Sequence, residues 1–273
     1  MGCVQPTPSS PPDEPVAPPG TLVAQALPPV DDAGVPYPLC PEVRSQSAHC
    51  LLVNTAEVVA VGVDDGASCL VSTLSAPHVA FLAPTALHDG FLLSCEGGER
   101  LVTIDVATGE RMTEPLPGCQ YLTDSADRLL LLREGETPFL PVEFTLFDDL
   151  ESLRGATPSG AAERVWTLDE RPWALAADAN QGHVVGQWQA SLPFSLNDAS
   201  RLPDITLQGS WPPRGLEVLG DGSLLVLTTE NILQHRPDGT LWRIIPIPRP
   251  APDASEEYDD GGVFSSGFAC WER

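Results

Sequence analysis

The stretch RGLEVLGDGSLLVLTTENILQHRPDGTLWRIIPIP, residues 214–248, decides the fold. It contains four short apolar runs separated by three turns, of which Asp221-Gly222 and Asp238-Gly239 are the clearest. Asp-Gly between apolar runs favours a β-hairpin, because both residues tolerate the positive φ of a twisted two-residue loop. The stretch therefore predicts a four-stranded antiparallel meander, which needs further sheets against it to bury its apolar side chains.

Three similar segments precede this meander and begin near Thr85, Tyr121 and Trp173. Each has a strand, a polar turn and a second strand, followed by more distant apolar runs. Their spacing is irregular but centres on roughly 40 to 50 residues, which is typical of the four-stranded blades of a β-propeller. Repetition around an axis leaves few sheet edges exposed.

The turns of these copies share a motif. Asp221-Gly222 and Asp238-Gly239-Thr240, with Thr108-Gly109 as a variant, resemble the repeat of bacterial propellers with NHL-type or gluconolactonase-like blades. The resemblance covers Pro84 to Pro248, and its motif is structural. It implies an all-β propeller, and for gluconolactonase-like members a metal ion in the central channel.

Four copies fill residues 84–248, so the apolar runs of residues 40–83 and 262–273 must supply the remaining strands. We therefore predict five four-stranded blades, with the N- and C-terminal strands sharing the blade that closes the ring. Six shorter blades, or a β-sandwich of two meanders, are the alternatives. In either case residues 40–273 form one domain.

The net charge of -24 comes from 38 acidic and 14 basic side chains, and all the basic residues are arginine. Such a surface repels phosphate backbones and anionic lipid headgroups, which argues against nucleic-acid binding and electrostatic membrane docking. The absence of lysine from the sequence also excludes Schiff-base chemistry.

Seven cysteines include no CxxC pair and no Cys/His group with zinc-ligand spacing. Six of them lie in the predicted domain and favour three disulfides, hence an oxidising compartment outside the cytoplasm. These are Cys40, Cys50, Cys69, Cys95, Cys119 and Cys270. Sequence distance favours Cys40–Cys50 and Cys95–Cys119, which leaves Cys69–Cys270 to join the two ends of the domain.

The first 39 residues form a separate region. Met1-Gly2-Cys3 and the proline-rich run after it resemble the start of a mature bacterial lipoprotein, with Cys3 as the lipidated residue. The resemblance implies a signal peptide, whose apolar region does not stand before Gly2 here, and a place in the cell envelope, outer-membrane-anchored or periplasmic. The alternatives are myristoylation at Gly2, disfavoured by Pro6, and a free tail. Residues 5–38 have too few apolar side chains to fold alone and predict a disordered tether.

The motifs of common catalytic sites, among them GxSxG, HExxH, GxGxxG and the EF-hand loop, do not occur in the sequence. His88 and His183 lie beside inner turns and are candidate binding residues, although a structural role is commoner for a turn histidine. Acidic residues recur at turns, at Asp64-Asp65, Asp89, Asp124, Asp127, Asp178 and Asp221. They suggest either a calcium-binding ring of carboxylates or, as we favour, aspartates that hydrogen-bond their own turns.

Two further features are candidates for partner contact. Trp173 and Trp211 stand next to proline near turns, where an exposed indole would suit a sugar or a protein hot spot. The acidic cluster at residues 256–260 contains Glu256, Glu257, Asp259 and Asp260.

We therefore expect a lipid-anchored extracytoplasmic propeller that needs no cofactor and binds a protein or glycan at the cell surface. The alternative is a calcium-dependent hydrolase, a lactonase or a glycoside hydrolase, with carboxylates in the channel. A surface-coat protein without a discrete ligand is a third possibility.

Overall fold

The computed structural model describes residues 40, 49–53, 57–74, 85–125, 128–137, 140–155, 164–166, 174–185, 190–198, 200–209, 213–228, 231–247 and 267–271. Within these ranges, twenty strands form five antiparallel sheets of four strands each. We call the sheets blades 1 to 5 and give their strands from the innermost to the outermost.

Blade 1 consists of β20 (Gly267–Trp271), β1 (His49–Val53), β2 (Glu57–Gly62) and β3 (Ser68–Thr73). Blade 2 consists of β4 (Thr85–His88), β5 (Phe91–Glu96), β6 (Arg100–Asp105) and β7 (Arg111–Pro115). Blade 3 consists of β8 (Tyr121–Ser125), β9 (Arg128–Thr137), β10 (Leu140–Phe147) and β11 (Arg164–Trp166). Blade 4 consists of β12 (Ala174–Ala177), β13 (Gln181–Val185), β14 (Ala190–Ser195) and β15 (Ile205–Thr206). Blade 5 consists of β16 (Gly215–Val218), β17 (Leu224–Leu227), β18 (Asn231–His235) and β19 (Leu241–Pro246).

The innermost strands β4, β8, β12, β16 and β20 contact one another in cyclic order. This ring confirms the predicted five-bladed propeller. The closing blade is also as predicted, since the C-terminal strand β20 pairs with β1 and is followed outward by β2 and β3.

The core lies in five layers, one between each pair of adjacent blades. Four consecutive leucines in β9 show why the apolar runs lack a two-residue alternation. Leu129 and Leu131 pack towards blade 2, whereas Leu130 and Leu132 pack towards blade 4. Because both faces of a blade are covered by its neighbours, a strand is apolar at successive positions.

A short helix, α1 (Leu150–Arg154), interrupts blade 3 between β10 and β11. Asp149 caps it by accepting a hydrogen bond from the Ser152 N–H, and Leu153 is buried between blades 2 and 3. Sequence analysis did not predict this element, because five residues are too few to show a helical period.

Two of the Asp-Gly turns differ from the predicted two-residue loop. At Asp89-Gly90 both residues have positive φ, 50° and 82°, as that loop requires. At residues 219–223 and 236–240 only Gly222 and Gly239 have positive φ. The Gly222 N–H donates to the Leu219 carbonyl, and Leu219 donates to Ser223. These are therefore three-residue loops that end in a glycine bulge.

Gly109 and Gly239 also have a second role, at contacts between blades. A Cβ added to Gly239 would lie 2.1 Å from the carbonyl oxygen of Thr206 in blade 4, and one added to Gly109 would lie 2.0 Å from that of Thr73 in blade 1. Glycine is therefore required at these two turns. Without a Cβ, the turn of one blade can approach the backbone of the neighbouring blade.

The disulfides are Cys40–Cys69, Cys50–Cys270 and Cys95–Cys119. Cys95–Cys119 is as predicted, but the other two predicted pairs are wrong. Cys50 lies directly opposite Cys270 in the β1–β20 pairing, whereas Cys69 lies on the outermost strand of the same blade. Cys69 pairs instead with Cys40, whose N–H donates to the Leu70 carbonyl at the outer edge of β3. Three disulfides indicate an extracytoplasmic protein.

Candidate functional site

The inner edges of the five innermost strands surround the propeller axis, and two carboxylates lie there. Glu217 on β16 is 4% exposed, and Asp124 on β8 is half-buried. Acidic side chains are seldom buried unless they are paired, so the position of these two within the innermost strands marks them as candidates for function. Within the described residues, these two carboxylates form the candidate functional site.

Each carboxylate is bound to the backbone of another blade. The Leu87 N–H of β4 donates to Asp124 Oδ1 over 3.4 Å, and the Cys270 N–H of β20 donates to Glu217. Leu87 and Cys270 belong to the innermost strands of blades 2 and 1, whose other edges pair outward. The carboxylates therefore occupy positions that would continue the β-ladder into the channel, and they satisfy N–H groups that would otherwise be orphaned.

The two carboxylates also interact with each other, although they come from blades 3 and 5, which are not neighbours. Repulsion from Asp124 is one cause of the raised pKa of Glu217. Because blade 4 separates the two strands along the ring, this interaction runs across the channel. The intervening strand β12 contributes only alanine and leucine side chains at its four positions.

Burial dominates the ionisation of both groups. It raises the pKa of Glu217 well above its ordinary value, with the Asp124 charge adding to the effect and the Cys270 N–H opposing it. Burial likewise raises the pKa of Asp124 to about 6, against the lowering effect of the Leu87 N–H. Both carboxyl groups therefore keep their protons to higher pH than exposed carboxyl groups do. Carboxyl groups with raised pKa values are used in acid–base chemistry.

Sequence analysis named Asp124 among the turn aspartates but missed Glu217. The signal was present in the opening stretch, where Glu217 stands between Leu216 and Val218 within an apolar strand. A charged residue at a position buried on both sides requires a partner, and here the partner comes from a strand more than fifty residues further along the chain.

The turn interpretation holds for several other aspartates. Asp65, Asp178 and Asp221 accept hydrogen bonds from backbone N–H groups two or three residues ahead. Asp64 instead forms an ion pair with Arg243 of blade 5 at 3.3 Å. Asp124 also differs, because its partner Leu87 lies 37 residues away.

The two histidine candidates are buried and lie in different blades. His88 ends β4, with Nε2 3.5 Å from Asp89 Oδ2. His183 lies on β13, and its Nδ1 shares a 3.1 Å hydrogen bond with the buried Ser191 hydroxyl. Burial lowers the pKa of His183 to about 4, so this imidazole is neutral at pH 7. The structure does not bring the two histidines together.

The remaining candidates lie outside the described residues. They are Cys3, Trp173, Trp211, Glu256, Glu257, Asp259 and Asp260. Among the described residues, the exposed large apolar side chains are Met112 and Trp242, at 48% and 39% exposure. The Arg243 guanidinium lies 5.0 Å from the centre of the Trp242 ring.

The two channel carboxylates supply only a few of the ligands that a calcium ion takes. Ca²⁺ takes six to eight oxygen ligands. Asp124 and Glu217 are only two carboxylates, and one oxygen of each already accepts a backbone N–H. Within the ranges that the structure covers, no three His, Cys, Asp or Glu side chains are grouped as metal ligands. In the same ranges no helix has the length and apolar character needed to span a membrane.

No model of a protein family matches the sequence, and no curated protein does. Solved structures of similar shape include a glutaminyl cyclase from Myxococcus xanthus, with 15% identity over 61% of this chain and 71% of that one, at a TM-score of 0.45. A protein of unknown function from Bacteroides caccae has 14% identity over 73% of each chain, at a TM-score of 0.42. A gluconolactonase from Xanthomonas campestris has 17% identity over 71% of this chain and 70% of that one, at a TM-score of 0.43. These likenesses assign no activity to the chain, and the propeller fold is established by its own five sheets.

Proposed function

We propose that the protein is an envelope binding module, in which a lipid on Cys3 and the proline-rich tether hold the propeller near a membrane. The propeller offers a rigid surface to a protein or glycan. One observation carries this proposal, namely the position of Cys40 at the rim of blade 1. Its disulfide to Cys69 and its hydrogen bond to Leu70 join the tether to the outer edge of β3. A tether attached there leaves both ends of the propeller accessible to a partner.

The bonding of the polar groups supports a binding role. His183, Asp65, Asp178 and Asp221 have their hydrogen bonds within the fold. A closed ring with an inter-strand disulfide changes shape little on binding, which lowers the entropic cost of association. We propose that Trp173 and Trp211 supply the contact. The acidic cluster at residues 256–260, in the connection between β19 and β20, is a further candidate for it.

Binding is tested by probing the full chain against arrays of bacterial envelope glycans and against separated envelope proteins. We expect a discrete ligand whose binding is lost in Trp173→Ala or Trp211→Ala. Trp242→Ala is the matched control, because it removes an exposed tryptophan from an outer strand. Equal loss in all three variants, or no ligand in either array, would contradict the proposal.

Lipidation is tested separately in a bacterial host, with the chain placed behind a lipoprotein signal peptide. Labelling with an alkyne fatty acid should mark the wild-type chain and not Cys3→Ser. A label that persists in Cys3→Ser would exclude Cys3 as the anchor, and an unlabelled wild-type chain would exclude the anchor itself.

A second candidate function is hydrolysis, favoured by the channel pair alone. Glu217, whose pKa is raised well above its ordinary value, could act as a general acid, and Asp124 with a pKa of about 6 as a base. The substrate class would be glycosides or lactones. The test is turnover of aryl glycosides and of lactones between pH 4 and 9. A hydrolase would show an acidic limb near pH 6 that disappears in Asp124→Asn, whereas a binding module would show no turnover in either protein.

A further inference from the structure

The seam between blades 5 and 1, where the ring closes, is built around Glu217. On the inner edge β16 meets β20, and Gly215 lies so close to Phe268 that an added Cβ would be 2.9 Å from its ring. One strand outward, the Cys50–Cys270 disulfide links β1 to β20. The C-terminal strand is thus held by a disulfide on one side and by contacts with blade 5 on the other.

Glu217 makes a polar contact between β16 and β20. It accepts the Cys270 N–H, while its Oε1 is buried and has no hydrogen-bond partner. A buried oxygen without a partner is costly when the group is charged and much less so when it carries a proton. The closing contact therefore depends on the protonation state of this one side chain.

Few charged groups of the described residues face the seam. Across the channel, β8 presents Asp124. On blade 5, β17 and β18 present Leu225 and Gln234 in the same cross-strand row, and β19 ends that row with Arg243. The Arg243 guanidinium binds the Val63 carbonyl and Asp64 at the outer rim, two strands away from Glu217.

Blade 1 presents apolar side chains to the same layer. They come from β20, β1, β2 and the turn after β2, and are Phe268, Cys270, Cys50, Leu52, Val59, Val61 and Val63. Among the described residues, Asp124 is therefore the charged group that acts on Glu217, and its negative charge disfavours a second one.

We propose that ring closure in this propeller depends on the proton of Glu217, whose buried Oε1 has no hydrogen-bond partner. With the proton present, β20 stays docked against β16. With it removed, an unpaired charge is buried between β16 and β20, and the seam between blades 5 and 1 loosens. The Cys50–Cys270 disulfide keeps β20 attached to β1, so the change is local and reversible.

The pH dependence follows from the direction of the pKa shifts. A carboxyl group whose pKa is raised by folding binds its proton more tightly in the folded state. The stability associated with that proton is therefore present below the unfolded pKa of a glutamate and is lost as the pH rises through the folded value. Since burial raises the pKa of Glu217 well above its ordinary value, the seam loosens as the pH rises through that raised value.

The test is native-state hydrogen exchange of the β20 peptide between pH 5 and 9, in the oxidised full-length chain. Rates are divided by those of an unstructured peptide of the same sequence, which removes the intrinsic effect of pH. In the wild type we expect the corrected rate to rise by about tenfold or more, the effect of one pKa unit. In Glu217→Gln, which cannot ionise, we expect it to stay constant.

Two further variants complete the experiment. Glu110→Gln removes an exposed charge from the β6–β7 turn and should behave as wild type. Asp124→Asn removes the charge that raises the pKa of Glu217 and should shift the rise to lower pH, which keeps the proposal testable if Glu217→Gln does not fold. An equal rise in wild type and Glu217→Gln, an unchanged rise in Asp124→Asn, or a wild-type rate that does not change with pH would overturn the proposal.

Discussion

The contact between neighbouring blades at the glycine turns can be tested with one pair of substitutions. Gly239 and Gly90 have almost the same backbone conformation, with φ of 84° and 82°. They differ in what surrounds them. A Cβ at Gly239 would lie 2.1 Å from the Thr206 carbonyl oxygen, whereas a Cβ at Gly90 would have no atom within 4 Å. Alanine at both sites therefore adds the same backbone strain but only one steric conflict.

The expected magnitudes follow from these two contributions. An alanine in the left-handed region costs about 1–2 kcal/mol, partly offset by the lower entropy of the unfolded chain. Gly90→Ala should thus lower the free energy of unfolding by about 1 kcal/mol. In Gly239→Ala the turn must also move away from the backbone of blade 4, and overpacking of this kind adds about 1–3 kcal/mol.

Urea unfolding followed by tryptophan fluorescence measures both values, provided that the denaturant slopes agree. Gly109→Ala is an independent replicate, because its Cβ would lie 2.0 Å from the Thr73 carbonyl oxygen across the next interface. Losses for Gly239→Ala and Gly90→Ala that agree within about 0.5 kcal/mol, the scale of a surface substitution, would refute the close approach of the turns.

Two further predictions concern the disulfides and the buried histidine. The Cys50–Cys270 bond spans 220 residues and Cys95–Cys119 spans 24. Loop-closure entropy therefore predicts that the corresponding double alanine variants lose about 5 and 3.5 kcal/mol of the free energy of unfolding. Equal losses in urea unfolding would contradict a ring-closing role. For His183, whose folded pKa is lowered to about 4 from 6.5, the associated stability is present above pH 6.5 and is lost as the pH falls towards 4. The wild type should therefore lose up to about 3 kcal/mol more than His183→Asn between pH 7 and 4, and parallel losses would show that His183 does not titrate in this way.

The repeat and its number were predictable because every blade uses the same local chemistry. Apolar runs of strand length, broken by acidic or glycine turns, specify four-stranded sheets wherever they occur. Four blades were assigned to residues 84–248. The number five followed because the strands left over, in residues 40–83 and 262–273, had to form one further blade together. That β20 is the innermost strand of that blade was not predictable, because inner and outer strands are both apolar.

The disulfide pairs and the channel site depend on contacts that are distant in the sequence. Cys50 is 220 residues from Cys270, so the preference for short loops assigned Cys40 to it instead. Glu217 could have been suspected from its apolar neighbours, but its relation to Asp124 exists only once five strands surround an axis. Similarly, Asp124 resembles the other turn aspartates in the sequence, and only the structure shows that its Oδ1 accepts a hydrogen bond from the Leu87 N–H.

The most direct test of ring closure by the C-terminal strand is peptide mapping of the native protein without reduction. Digestion under mildly acidic conditions prevents thiol exchange. We predict that Cys270 is recovered in one peptide with Cys50, Cys40 with Cys69, and Cys95 with Cys119. Recovery of Cys270 linked to Cys69, or of Cys40 linked to Cys50, would contradict the placement of β20 beside β1 and with it the account of the channel.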